Sequence, residues 1–249
     1  MRLTNRWIVF VAAILIIVIV SGAFYEVVQL RLGENTLEPQ DTLFQLQAFN
    51  LFSARNFEGN MTFAELARHG DFGIGTLNGL NGEMIALGGE FYQIPSNGSL
   101  RQIGMSEKTP YATVAFFKAD WVIQVEDSMN YSQLTAYINS TLPNYNAIYA
   151  LNVHGFFTFA KTRSPPIQTK PYPTLTEAIK NQTVFTLGGV YGSAVGFYFP
   201  TSMNGVDSTG YHLHLITDER SAGGHLLECT MRNATVEIGQ IDNYHLLIP

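Results

Sequence analysis

The sequence predicts an α+β fold: strand-rich, with a mixed β-sheet architecture in two parts and few, short helices. Three observations predict it. From Asp71 to Ile94 the chain is punctuated by Asn-Gly at Asn78 and Asn81 and by Gly-Gly at Gly88, which is the turn chemistry of successive hairpins. Apolar runs rich in β-branched and aromatic residues, above all Ala147 to Ala160, read as buried strands. Helix signals are confined to two capping boxes and the run Tyr131 to Leu142, and neither a dinucleotide-binding nor a P-loop pattern is present.

In chain order, Arg2 and Arg6 precede an uncharged apolar run from Trp7 to Val20 and the small residues Ser21-Gly22-Ala23, the pattern of an export signal. Uncut, the stretch reaches Tyr25 and is about long enough to span a bilayer. Residues 1–25 are therefore expected to be a signal peptide or an N-terminal transmembrane anchor. The protein is expected to be exported, either secreted or held on the outer face of the membrane by residues 7–25. Residues 26–41 read as a linker and residues 42–249 as the folded region, in two β-based halves. Thr62-Phe-Ala-Glu65 is a capping box opening a short helix expected to end at Gly70, a local task that removes Glu65 from the candidate catalytic carboxylates. The meander of Asp71 to Ile94 follows. Further strands are expected at Thr109 to Phe117, Trp121 to Val125, Ala147 to Ala160, Val184 to Leu187 and Ser193 to Phe199. Thr174-Leu-Thr-Glu177 is a second capping box, and Pro165-Pro166 with Pro171-x-Pro173 keeps the segment before it extended.

Composition narrows the function. The 249 residues are 46% hydrophobic and only 14% charged, with a net charge of −6, which argues against nucleic acid and leaves a small molecule as the expected partner. The membrane is expected to be touched only through the N-terminal segment, and a homodimer is compatible with this composition. Six Asn-x-Ser/Thr sequons, at Asn60, Asn97, Asn130, Asn139, Asn181 and Asn233, suggest a glycoprotein facing an exterior compartment. The lone Cys229 alternates with apolar neighbours and reads as a buried, inert thiol.

The chemistry concentrates between Tyr211 and Cys229, where three of the six histidines lie. His212 and His214, two apart on a β-branched strand, point the same way about 7 Å apart, which suits metal ligands. Thr217 to Gly224 reads as an eight-residue connection to an antiparallel strand starting at His225. Pairing of Ile216 with His225 would put all three imidazoles on one face, able to close on one ion with a position left open. An isolated His-x-His is more often two half-buried histidines; the third histidine and the absence of partner cysteines favour a zinc site. Glu83, directly after the Asn81-Gly82 turn, reads in isolation as a solvated strand end. Arg163, where a long apolar strand leaves the core, reads either as a surface arginine or as a fork for a carboxylate. His69, His154 and His245 read as structural.

Taken together, His69-Gly-Asp-Phe-Gly-Ile-Gly-Thr-Leu-Asn-Gly-Leu-Asn-Gly-Glu83, the segment Lys161-Thr-Arg163-Ser-x-Pro with Lys170-Pro-Tyr-Pro173, and Gly210-Tyr-His-Leu-His214 through Gly223-Gly-His225 resemble the α-acetolactate decarboxylase family over roughly residues 42 to 249. The resemblance implies a zinc enzyme, a carboxy-lyase that converts acetolactate to acetoin and carbon dioxide. It also implies that Zn2+ is held by His212, His214 and His225, and that Glu83 and Arg163 line the site as catalytic residues. Members of that family carry a further glutamate in a C-terminal tail, and no residue between Asp242 and Pro249 is expected to take that role.

Two other readings compete. One is a cupin-like metal enzyme, which would use Glu219 after His212-x-His214. The other is a non-catalytic glycosylated surface module on the same scaffold.

Overall fold

The structure, a computed structural model, describes residues 38–249. The expected signal or anchor at residues 1–25 lies outside the described residues, and no helix within them is long and apolar enough to cross a membrane. In order, the elements are β1 (Thr42–Leu46), α1 (Phe49–Ser53), β2 (Met61–Thr62), α2 (Phe63–Leu66), β3 (Phe72–Thr76), β4 (Glu83–Leu87), β5 (Glu90–Ile94), β6 (Arg101–Gln102), β7 (Lys108–Thr109), β8 (Ala112–Ala115), β9 (Trp121–Val125), β10 (Met129–Asn130), α3 (Tyr131–Thr141), β11 (Ile148–Ser164), α4 (Leu175–Ala178), β12 (Thr183–Leu187), β13 (Val190–Phe199), β14 (Gly210–Thr217), β15 (Gly223–Ile241) and β16 (Asn243–Leu247).

Fourteen of these strands form two seven-stranded sheets, the strand-rich α+β arrangement the sequence predicts, and β2 pairs with β7 in a separate two-stranded ladder. The first runs β16-β1-β8-β3-β4-β5-β6 and is mixed, because β1 and β16 are parallel while the remaining pairs are antiparallel. The second is antiparallel and closes on itself: β13 pairs with β14, β14 with β15, β15 with β11, and β11 with β13. Such closure leaves the inner strands without an open edge.

Local rules explain most of the elements. Thr62 accepts a hydrogen bond from the Glu65 N–H while the Glu65 carboxylate accepts one from the Thr62 N–H, as expected, although the helix ends at Leu66 rather than Gly70. Thr174 and Glu177 repeat the device. A third box, Asn130 with Gln133, starts α3 and was not foreseen. The strand expected over Thr109 to Phe117 divides into β7 and β8, since Pro110 has no N–H for a ladder. β11 runs on to Ser164, past the expected end at Ala160, because its polar residues alternate with buried Thr162 and Ser164.

Alternation then sorts side chains into layers. Leu43, Ile74, Ile85 and Ile94 of the first sheet meet Val195, Phe197 and Ile216 of the second. Phe44, Phe63, Met84 and Phe91 pack on the far face of the first sheet. Leu151, Val153, Phe157, Leu213 and Leu215 pack with Leu134 and Ile138 of α3 on the other face of the second. Each such side chain contributes roughly 1.5–3 kcal/mol when fully buried. Cys229 lies in that last cluster, and burial pushes its thiol up to about 12, so it is inert as expected. Of the sequon asparagines, Asn130 caps α3, and the Asn139 Oδ1 accepts a hydrogen bond from the Tyr211 hydroxyl at 2.7 Å.

Candidate metal centre

β14 sends Leu213 and Leu215 into the core beneath α3, so strand alternation turns His212, His214 and Ile216 toward the first sheet. His225 pairs directly with His214, whereas Ile216 faces Gly223. The register therefore differs by two residues from the expected pairing of Ile216 with His225. A shift of two preserves the face, and all three imidazoles converge as expected. The connection is also shorter than the eight residues expected. Thr217 Oγ1 accepts hydrogen bonds from the Ser221 and Ala222 N–H groups and closes the turn. Gly223 and Gly224 are strand residues, since a Cβ on Gly223 would lie 2.3 Å from the Leu215 carbonyl oxygen and one on Gly224 would lie 2.6 Å from that of Arg163. The glycine pair thus lets β15 wedge between β14 and β11.

Across the next ladder, Arg163 stands opposite His225, so a row His214–His225–Arg163 crosses three adjacent strands. Glu83, first residue of β4, comes in from the other sheet with its Oε2 3.5 Å from His214 Nε2 and its side chain only 13% exposed. In isolation the sequence read Glu83 as a solvated strand end; the stacking of the two sheets makes it a pocket wall.

The three ring centroids are 5.0 to 5.3 Å apart, and one ligand nitrogen from each ring lies within 4.8 Å of the others. His214 Nδ1 is 2.9 Å from the Met84 carbonyl oxygen. A carbonyl only accepts, so Nδ1 carries the proton and the Nε2 lone pair faces the cluster. That Nε2 and His212 Nδ1 are buried without a hydrogen-bond partner. Burial, reinforced by the Arg163 charge, lowers His212 to about 4; burial and the neighbouring imidazoles hold His214 and His225 well below the ordinary histidine value. All three are therefore neutral, with lone pairs free. Burial raises Glu83 to about 8 against the opposing pull of Arg163. Arg163 Nη1 donates to Gln182 Oε1 at 2.9 Å, while its Nε–H is buried and unpartnered. The same pocket is lined by Phe49, Phe52, Leu80, Leu175 and Ile179, with Thr76, Tyr111 and Ser208 supplying polar atoms.

Comparison with known proteins agrees with this arrangement. The family model for alpha-acetolactate decarboxylase matches residues 43–249. The chain is 38% identical to the alpha-acetolactate decarboxylase of Brevibacillus brevis, over 85% of this chain and 74% of that protein. It is 42% identical to that of Methanosarcina mazei, over 81% and 70% respectively. The chain belongs to the alpha-acetolactate decarboxylase family. The crystal structure of alpha-acetolactate decarboxylase from Bacillus subtilis strain 168 superposes with a TM-score of 0.82 at 35% identity, covering 84% of this chain and 89% of that one.

Alpha-acetolactate decarboxylases are carboxy-lyases, and membership disfavours both competing readings. Glu219, which the cupin-like reading needs as a ligand, is exposed on the β14–β15 turn. His154 meets Asp218 at the surface, while His69 and His245 gather around Glu38, away from the pocket. Sequence reasoning missed the pocket's apolar wall: Ala48, in the capping position before α1, offers no side-chain cap, so only the i, i+3 spacing of Phe49 and Phe52 could have pointed to it. It also missed Gln182, whose role depends on β12 pairing beside Arg163.

Proposed function

We propose that the chain catalyses the zinc-dependent decarboxylation of 2-acetolactate, a 2-hydroxy-3-keto acid, to acetoin and carbon dioxide. The observation that carries this reading is the convergence of three neutral imidazoles, one carboxyl and one guanidinium on a single apolar-walled pocket. The donors fit a metal ion: His214 is held by the Met84 carbonyl with its other nitrogen free, and the buried His212 nitrogen lacks any protein partner. Three nitrogen ligands without a thiolate favour zinc with an open coordination position, the catalytic pattern. Bound by His212, His214 and His225, the ion would supply Lewis-acid polarisation of the substrate oxygens.

The remaining steps fall to side chains. Gln182 orients the Arg163 guanidinium, whose free Nε–H and outer nitrogens receive the substrate carboxylate. Phe49, Phe52, Leu80 and Leu175 exclude water from that carboxylate, which favours its departure as neutral carbon dioxide. The electron pair left behind takes up a proton, and Glu83, the carboxyl that faces the three imidazoles, delivers it from its carboxyl oxygen. Incubation of the purified full-length chain with 2-acetolactate should release acetoin. His225→Ala should remove the zinc of this pocket and, with it, the acetoin, whereas Glu219→Ala should change neither. Zinc binding that depends on Glu219 and persists without His225 would instead support the cupin-like site.

A further inference from the structure

A second group of metal-ligating side chains lies on the far face of the first sheet, among three separate segments. His245, on edge strand β16, pairs with Phe44 of β1 in the parallel ladder. His69, three residues beyond α2, stacks on the fully buried Phe44 ring at 3.8 Å between centroids and 15° between planes. The His245 ring meets Phe44 edge-on at 5.1 Å. Phe44 therefore fixes both imidazoles, whose planes cross at 81°. Into the angle between them comes Glu38, its backbone N–H donating to the Arg68 carbonyl at 3.2 Å. A single carboxylate oxygen, Glu38 Oε1, lies 2.9 Å from His69 Nδ1 and 2.5 Å from His245 Nδ1. One ligand atom from each residue lies within 4.8 Å of the other two.

We propose that Glu38, His69 and His245 form a second divalent-metal site, separate from the decarboxylase pocket. One carboxylate and two imidazoles form a donor set suited to zinc or a neighbouring transition metal. Zinc bonds of about 2.0–2.1 Å place tetrahedral ligand atoms about 3.3–3.4 Å apart. The two short oxygen–nitrogen contacts would have to open by less than about 1 Å to admit an ion, a shift within the reach of rotamer adjustment. Each ring proton moves from Nδ1 to Nε2 as the ion takes its place, so both imidazoles stay neutral and no proton is gained or lost. His245 is half exposed, which leaves a coordination position for water. The ion would tie the segment leading into β1, the turn after α2 and the edge strand β16 together, a clasp on the one part of the first sheet held by a parallel pair.

Metal counting on the full-length chain tests this. After chelation and dialysis against Zn2+, the parent should hold about two ions per chain, and His69→Gln/His245→Gln about one. Glu38→Gln, which keeps the shape and both rings, should weaken one site by at least about tenfold and leave acetoin release unchanged. With Co2+ as a probe, the visible spectrum should lose one component in Glu38→Gln and a different one in His212→Gln/His225→Gln. If zinc stoichiometry and affinity are the same in the parent and in Glu38→Gln, the second site does not exist. The two readings fail separately: loss of an ion only with His212 and His225 overturns the second site, and loss only with Glu38, His69 and His245 overturns the metal reading of the pocket.

Discussion

Glu83 and Arg163 divide the proposed chemistry in the pocket, one moving a proton and the other holding a carboxylate beside the three-histidine cluster. Glu83→Gln keeps the shape but cannot move a proton, and Arg163→Lys keeps the charge but loses the planar fork that Gln182 orients. Both should retain fold and zinc while losing at least about a hundredfold in acetoin formation, the low end for a general acid or base. A Glu83→Gln rate within about threefold of the parent would reduce Glu83 to a wall of the pocket. Behind Tyr111, which also lines the pocket, the buried Asp207 accepts hydrogen bonds from the Tyr111 and Thr113 hydroxyls. Burial pushes its carboxyl up to about 7, against the pull of the Ser208 N–H and those hydroxyls. The folded chain therefore binds a proton between about pH 4 and 7 that the unfolded chain has released, so this group's contribution to stability falls as pH rises through that window. Asp207→Asn should remove that fall. Denaturant midpoints at about pH 4.5 and 7.5 should then show a parent-minus-variant difference on the order of 3 kcal/mol, and equal pH slopes would contradict the assignment. The histidine trio was legible because two residues on a strand must share a face. Glu83 and Arg163 were not legible without the family likeness, because a strand-end charge is pulled inside only when a second sheet lies over it.

The β14–β15 hairpin is the element on which the site depends. Gly224 has φ +129°, and an added Cβ would meet the Arg163 carbonyl oxygen at 2.6 Å. Gly224→Ala should therefore cost about 1–3 kcal/mol of stability through backbone strain alone. The clash should add to this and separate β15 from β11, loosening His225 and weakening zinc retention. Gly88→Asn is the control: its φ of +62° suits asparagine and nothing lies within 4 Å, so denaturant melts should shift little. Equal melts for the two variants would contradict the wedge described for β15. The Gly-Gly dipeptide also shows where sequence reading falls short. Glycine serves both in turns and where strands approach closely, and only the partner strands decide between them. Hairpin signals in β3 to β5 were readable because Asn-Gly has a single common use.

At the scale of the whole molecule, the pocket exists because β4 of one sheet lies over β14 and β15 of the other, with Met84 supplying the carbonyl that orients His214. The strand-rich two-sheet architecture could be read from alternation and turn residues, but strand order could not. β16 beside β1 and β15 beside β11 join segments far apart in sequence, and no local pattern encodes those pairings. The central claim is that an ion held by His212, His214 and His225 is required for decarboxylation of 2-acetolactate. The most direct measurement is acetoin release by the purified full-length chain before chelation, after chelation, and after zinc is restored. The account predicts turnover, its loss, and its recovery in the parent, with no recovery in His212→Ala. Acetoin release that survives complete removal of metal, or a zinc-loaded chain that leaves 2-acetolactate intact, would contradict it.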